Sequence, residues 1–187
     1  MSRVLVLYGT SEGQTAKIAR AIAFSLNADS IDTDVVQAGT RDPRPCHYAG
    51  VIVAGSIHRG GYQKPLAKWI RAHLAEFGNQ PTAFVSVCLS VLSTQEKARD
   101  EARAIPRSFV DGLGWHPTMI KVVAGALPYT KYNIVTRWIM KRIVSAAGGD
   151  TDTSRDYEYT DWKDLRDFAG RFAAFVSPAS VTSAVAS

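Results

Sequence analysis

This sequence of 187 residues has few cysteines and no long apolar run, and each of these two properties excludes a class of protein. The only cysteines are Cys46 and Cys88, too few for a disulfide framework and without metal-ligand spacing. Cys88 ends an apolar run and is expected to be buried there as a small apolar side chain. No stretch contains the roughly 18 uncharged apolar residues that a membrane-spanning helix needs, and no signal-peptide pattern opens the chain. We therefore expect a cytoplasmic protein whose contact with any membrane is peripheral.

Acidic residues are fewer than basic ones: 17 Asp and Glu stand against 22 Lys and Arg, which gives a formal net charge of +5. An excess of positive charge favours an anionic partner, such as nucleic acid, an acidic membrane surface or a carboxylated small molecule. The apolar share of 46% is that of an ordinary globular protein, and the length suits one domain. We assign this domain to residues 1–176 and expect a flexible tail over residues 177–187.

Strand-like and helix-like patterns alternate along the chain, which predicts a parallel β-sheet covered by helices on both faces. The predicted strands are Val4–Tyr8, Ile31–Val36, Gly50–Ala54, Thr82–Cys88 and Thr118–Val123. Apolar residues at helical spacing predict helices over Gln14–Leu26, Lys64–Phe77, Gln95–Val110 and Trp162–Phe175. Pro106 is expected to kink or interrupt the third of these helices.

The first connection from strand to helix, Gly9–Thr15, has the composition of a phosphate site. The first N–H groups of a helix have no intrahelical partner and attract anions. Hydroxyl groups of Thr10, Ser11 and Thr15 add donors, and Gly13 allows the backbone to approach an anion closely. Neither a Gly-Lys-Ser/Thr nor a Gly-x-Gly-x-x-Gly pattern is present. The turn therefore suits the single phosphate of a mononucleotide better than a dinucleotide or a triphosphate.

The run Tyr8-Gly9-Thr10-Ser11-Glu12-Gly13-Gln14-Thr15 resembles the FMN phosphate loop of the flavodoxin superfamily. An ordinary capped turn, with Ser11 as the N-cap, is the alternative. The resemblance implies FMN as the cofactor and a doubly wound α/β fold of five parallel strands in the order 2-1-3-4-5. In that order, loops after the first, third and fourth strands meet at one edge of the sheet. The cofactor-binding candidates in these loops are Thr10, Ser11, Glu12, Gly13, Gln14, Thr15, Ser56, Ile57, His58, Arg59, Gly60, Gly61, Tyr62, Cys88, Leu89 and Ser90.

By the same resemblance, the loop Gly55–Tyr62 borders the isoalloxazine ring of the flavin. The pair Gly60-Gly61 allows the positive φ angles that such a loop needs when it follows the redox state of the cofactor. Tyr62 is a candidate for stacking on the ring. His58 and Arg59 are candidates for contacts with its pyrimidine edge or with the substrate. A glycine-rich turn that carries two solvated basic residues is the alternative.

A long insertion, residues 127–150, separates the fifth strand from the last helix. Connections of this kind usually take about two to six residues, so the extra length should carry function. Its residues Asn133–Ala147 are predicted to form a helix with an apolar side and a basic side. The basic side carries Arg137, Trp138, Lys141 and Arg142. Such a helix suits a membrane interface, while packing on its own domain or on a second subunit is an equally weighted alternative.

Four motifs make the resemblance narrower: they are similar to those of the flavodoxin-like protoporphyrinogen IX dehydrogenases of bacteria. These motifs are Ala124–Tyr129, Arg137–Ile143, Gly148–Thr153 and Tyr159–Trp162. The family implies FMN, oxidation of protoporphyrinogen IX to protoporphyrin IX in heme biosynthesis, and a quinone, menaquinone or ubiquinone, as the electron acceptor. It also implies association with the inner face of the cell membrane. The basic residues of the insertion would then face the two propionates of the substrate.

Three alternatives stay open from the residues themselves. One is a flavodoxin-like NAD(P)H:quinone reductase, which can admit a nicotinamide over the flavin without a separate motif. A non-catalytic electron carrier is the second, although it would have an acidic surface and a short final connection. The third is a relative that has lost FMN. No catalytic acid or base is assigned, and we expect no metal ion and no nucleic acid partner, while a homo-oligomer remains compatible with the insertion.

Overall fold

The structure, a computed structural model, describes residues 2–57, 60–127, 152 and 154–177. Its main sheet contains five parallel strands: β1 is Arg3–Gly9, β2 Asp32–Gln37, β3 Gly50–Ser56, β4 Thr82–Val87 and β5 Met119–Val123. Their spatial order is β2-β1-β3-β4-β5. The predicted fold class and strand order are therefore confirmed, and each predicted strand lies within two residues of its observed bounds.

Among the described residues, four helices cover the two faces of this sheet: α1 is Gln14–Ala28, α2 Lys64–His73, α3 Glu96–Asp111 and α4 Trp162–Val176. Side chains of β1 alternate between the faces. Val4 and Val6 pack with α1 and α4, whereas Leu5 and Leu7 pack with α2 and α3. All four side chains are fully buried, which explains why the strand is a continuous apolar run rather than an alternating one.

Two predicted helices differ in detail from the observed ones. The second was expected to reach Phe77, but α2 ends at His73 and a short 3₁₀ turn follows. Pro106 lies inside α3, so the expected interruption is wrong, while a kink at this residue stays a prediction. Ala102, Pro106 and Val110 form a buried stripe at a spacing of four residues, so packing of this side against the sheet offsets the hydrogen bond that proline removes.

The C-terminal end of α2 is closed by a buried histidine between two carboxylates. His73 is 5% exposed, with Nε2 2.8 Å from Asp42 Oδ1 and Nδ1 2.9 Å from Glu76 Oε1. Burial alone lowers the pKa of His73, but the hydrogen bonds to Asp42 and Glu76 outweigh it and raise the pKa overall. Arg44, bonded to Glu76 through Nε, and His73 lower the pKa of Glu76 to about 2, so this carboxylate stays charged. His73 is thus structural.

This cluster predicts a pH-dependent stability. Because the folded-state pKa of His73 lies above its unfolded value of about 6.5, its contribution is complete below that value and is lost as the pH rises through the folded pKa. We expect His73→Asn to reduce the free energy of unfolding by about 1 kcal/mol more at pH 6 than at pH 8.5. Urea denaturation of both proteins at the two pH values measures this difference. Equal losses at both values would contradict a charged His73.

Candidate functional site

Three loops meet at the carboxyl edge of the sheet, as predicted. The register pairs Gly9 of β1 with Gly55 of β3, and Ser56 of β3 with Val87 of β4. The connections that follow these strands therefore leave the sheet side by side, at the point between β1 and β3 where the strand order reverses. Candidate residues His58 and Arg59 lie outside the described residues, while the other candidates of the three loops are described.

The first turn of α1 is built without a side-chain cap. Gly13 is the N-cap, with φ +97°, and its N–H donates to Thr10 Oγ1 at 2.9 Å. Ser11 is therefore not the N-cap, and the alternative of a turn capped by Ser11 is wrong. Position 13 requires glycine because of its positive φ. Crowding is not the reason, because nothing lies within 4 Å of the place that a Cβ would take. The first turn carries no acidic residue, so its unpaired N–H groups suit an anion.

Thr15 gives this turn a second phosphate-binding feature. The residue is 1% exposed, and its Oγ1 is buried with no hydrogen-bond partner among the described residues. A buried hydroxyl without a partner costs about 1–3 kcal/mol, and such groups are rare in folded proteins. A phosphate oxygen at the start of α1 would accept a hydrogen bond from this hydroxyl. The residues present therefore fit a phosphate group, which is the part of FMN that the turn was predicted to bind.

Gln63 links the first and second loops, a role that the sequence alone did not indicate. It precedes α2, and its Nε2 donates to Ser56 Oγ at 2.8 Å and to Ser11 Oγ at 3.2 Å. Its Oε1 is buried and has no partner within the described ranges. A Cβ on Gly9 would lie 2.9 Å from this oxygen, so glycine there makes room for the link. The only sequence signal was a polar residue just before the Lys-Pro start of α2.

We expect Gln63→Ala to weaken FMN binding about fivefold to tenfold, because the phosphate turn would lose its tie to the second loop. Fluorescence titration of FMN with the apoprotein measures this change. Gln80→Ala, just before β4 at the opposite edge of the sheet, is the matched control and should leave the affinity within twofold of the parent protein. Equal effects of the two substitutions would contradict a specific role of Gln63.

Tyr62 is held by the protein on the side of the sheet that α2 and α3 cover. Its ring centroid lies 5.0 Å from that of Phe84 and 4.5 Å from that of Phe109. Its hydroxyl is 2.7 Å from Ser86 Oγ, and burial raises the pKa of the phenol. A Cβ on Gly55 would lie 2.9 Å from the Tyr62 ring, so this glycine admits the side chain. Stacking of Tyr62 on a flavin ring stays a prediction.

The third loop forms a 3₁₀ turn, Leu89–Leu92, directly after the buried Cys88. The expected burial of Cys88 as a free thiol is confirmed. Arg99 of α3 fixes the end of the loop by donating from Nη1 to the carbonyl oxygen of Ser93 at 2.8 Å. Leu92 is 50% exposed, which places an apolar side chain on the surface of this loop. The loop thus combines a hydrogen-bonded end with an accessible apolar residue after β4.

A short antiparallel hairpin forms the base of the insertion, which the sequence did not predict. It pairs β6, Ala126–Leu127, with β7, Tyr157–Glu158. The insertion therefore leaves and returns at neighbouring backbone positions. The predicted helix Asn133–Ala147 lies outside the described residues, as do the docking candidates Arg137, Trp138, Lys141 and Arg142.

The described helices include none that combines the length and the apolar character needed to cross a bilayer.

Comparison with known families now bears on this geometry. A family profile described as a flavodoxin domain matches residues 5–154. This chain belongs to the flavodoxin domain family. Solved flavodoxins share its fold at low identity: a short-chain flavodoxin associated with a bacterial microcompartment has a TM-score of 0.59 at 13% identity, covering 96% of this chain and 100% of that one. A flavodoxin from the domain Archaea has a TM-score of 0.56 at 13% identity, covering 94% and 99%.

Two relatives of higher identity have the same name. A protoporphyrinogen IX dehydrogenase [quinone] of Escherichia coli (strain K12) is 33% identical over 172 residues, which cover 91% of this chain and 94% of that protein. A protein of the same name from Leishmania major is 32% identical over 174 residues, covering 92% of this chain and 75% of that protein. The resemblance inferred from the motifs is thereby confirmed, and these relatives are oxidoreductases by name.

Proposed function

We propose that this flavodoxin-domain protein binds FMN and oxidises protoporphyrinogen IX to protoporphyrin IX, with a quinone as the electron acceptor. The observation that carries the proposal is the first turn of α1, which has no side-chain cap and whose buried Thr15 hydroxyl has no partner among the described residues. The substrate and the acceptor are supported by the relatives, whose name states both and whose sequences align with over nine-tenths of this chain. A cytoplasmic location at the inner face of the membrane follows from the same resemblance and belongs to the proposal.

Each loop of the site has a separate task in this proposal. Thr10, Ser11 and Thr15 hold the phosphate together with the N–H groups at the start of α1. The second loop, tied to the first by Gln63, and the third loop with Leu92 border the ring and limit access of water. When bound, FMN supplies hydride acceptance and the onward transfer of electrons. The protein's own contribution is therefore to bind, orient and shield.

The insertion is assigned to substrate and membrane contact. Protoporphyrinogen is a large apolar ring with two propionates, and a lipid-soluble quinone is met at a membrane. Arg137, Lys141 and Arg142 would pair with carboxylates or anionic lipid, and Trp138 suits the boundary between water and lipid. This assignment rests on the residue types and on the position of the base of the insertion, the β6–β7 hairpin, next to α1.

Anaerobic mixing of the FMN-loaded protein with protoporphyrinogen IX and a menaquinone analogue tests the proposal. We expect protoporphyrin IX, followed by its fluorescence, to form only when both the quinone and FMN are present. Replacing protoporphyrinogen by NADH is the control, because efficient quinone reduction with NADH would indicate the quinone reductase alternative instead. Formation of no protoporphyrin by a protein that binds FMN fully would contradict the proposed reaction.

A further inference from the structure

The motif Tyr159–Trp162, singled out in the sequence, closes the base of the insertion. The N–H of Tyr159 donates to the carbonyl oxygen of Gly125 at 3.1 Å. Thr160 is 8% exposed, and its Oγ1 donates to the carbonyl oxygen of Ala124 at 2.8 Å. Two bonds therefore tie the returning strand to the segment that leads from β5 into β6.

The second half of the motif starts α4 and contacts α1. Asp161 is the N-cap of α4, and its side chain accepts from the first N–H groups of that helix at 3.0 Å. Trp162 follows, and the ammonium group of Lys17 lies 5.1 Å from the centroid of its ring. The return of the insertion, the start of α4 and the first turns of α1 thus meet at Lys17.

Glu158, the last residue of β7, joins this meeting point directly to the phosphate turn. Lys17 Nζ lies 2.7 Å and 2.9 Å from its two carboxylate oxygens. Gln14 Nε2 donates to Glu158 Oε1 and to Thr160 Oγ1, both at 3.0 Å. Burial raises the pKa of Glu158, but the hydrogen bonds from Lys17 and Gln14 outweigh it, so the pKa is lowered overall and the carboxylate is charged.

Gln14 has two roles in this arrangement. Its side chain donates a hydrogen bond to Glu158 of β7. It is also the first residue of α1, between Gly13 and Thr15 in the turn proposed to bind phosphate. A phosphate that fixes the backbone of this turn also reduces the freedom of the Gln14 side chain. The contacts to β7 then require less additional ordering, which makes the two events mutually favourable.

We propose that Glu158 is a positioning residue that couples the β6–β7 hairpin to the phosphate-binding turn of α1, an inference that rests on the proposed FMN site. Binding of FMN at the turn stabilises the base of the insertion, and a well-formed base favours FMN to the same degree. The contacts of Glu158 thereby fix the position of the base of the insertion relative to α1, the helix proposed to bind the cofactor.

Hydrogen exchange of the Tyr159 N–H, resolved by NMR with and without saturating FMN, tests this coupling. In the parent protein we expect FMN to slow the exchange about fivefold, consistent with an ion pair and two hydrogen bonds at partly exposed groups. In Glu158→Ala, exchange should be faster without FMN, and FMN should slow it by only about twofold, because the bond from Gln14 Nε2 to Thr160 Oγ1 remains. Lys17→Met removes the same ion pair from the other side and should reduce the FMN effect in the same direction.

Asp167→Ala is the matched control, because it removes a carboxylate bonded to Lys163 at 2.9 Å on the exposed surface of α4. Its Tyr159 exchange and its response to FMN should equal those of the parent protein. An equal slowing by FMN in the parent protein and in Glu158→Ala would overturn the coupling. Since this readout needs no turnover, a coupling seen in a protein that forms no protoporphyrin would support the inference while refuting the proposed reaction.

Discussion

Replacing Thr15 by valine should weaken FMN binding about 100-fold and yet leave the apoprotein as stable as before, or slightly more stable. The Thr15 hydroxyl is buried without a protein partner among the residues that the structure describes, so the apoprotein loses no hydrogen bond when a methyl group takes its place. A bond to a charged phosphate is worth about 1.5–3 kcal/mol, or roughly tenfold to 150-fold in affinity. Titration of the apoprotein with FMN, together with urea denaturation, measures both quantities.

Thr82→Val supplies the matched control for this prediction, with the opposite pair of effects. Thr82 Oγ1 accepts a hydrogen bond from Trp115 Nε1 at 3.2 Å inside the protein. Valine there leaves a buried indole N–H without this acceptor, so the apoprotein should lose about 1–2 kcal/mol of stability while FMN affinity stays within twofold. A Thr15→Val protein that is destabilised like Thr82→Val, with unchanged FMN affinity, would refute the phosphate role of Thr15.

Removal of the insertion should reduce the rate of quinone-linked oxidation of protoporphyrinogen IX at least 100-fold, while FMN remains bound. Leu127 and Tyr157 are paired across the β6–β7 hairpin, so residues 128–156 can be replaced by Asn-Gly, which suits a two-residue hairpin turn. This design retains Glu158 and its contacts with α1. The loss is expected because the replaced segment contains the basic residues assigned to the propionates and to the membrane surface.

A charge variant of the insertion separates substrate docking from a general effect of the deletion. Arg137→Gln, Lys141→Gln and Arg142→Gln combined should raise the KM for protoporphyrinogen IX about tenfold or more, with FMN affinity unchanged. Lys163→Gln, together with Arg166→Gln and Arg171→Gln on α4, removes the same number of positive charges elsewhere and serves as the control. Equal activity of the shortened protein and the parent protein in the quinone assay would refute the role of the insertion.

Local signals in the sequence were sufficient for the sheet and for the strand–turn–helix unit at its first crossover. The run from Val4 to Thr15 contains a buried strand, a glycine with positive φ and the start of a helix within a few residues, so each feature supports its neighbours. The alternation of strands and helices predicted the parallel sheet, and the resemblance to flavodoxins implied the strand order. The interruption expected at Pro106 does not occur, because the packing of a whole helix side outweighs the helix-breaking tendency of one residue.

Contacts between residues far apart in the sequence were not predictable in the same way. Gln63 bonds to Ser11, 52 positions away, and nothing in the local pattern of either residue indicates the other. The hairpin β6–β7 escaped prediction because two-residue strands have no periodicity. The contact of Glu158 with Lys17 was likewise not predictable, because the two residues are brought together only by the fold. The adjacent Tyr-Thr-Asp-Trp motif indicated only that this region was of interest.

Comparison of FMN with riboflavin tests whether the first turn of α1 binds the phosphate of FMN. Riboflavin has the same ring and ribityl chain but no phosphate, so titration of the apoprotein with both ligands isolates the contribution of the turn. We expect FMN to bind at least 100-fold more tightly, and Thr15→Val to remove most of this difference. Equal affinities for the two flavins, or binding of neither, would refute a phosphate site at this turn.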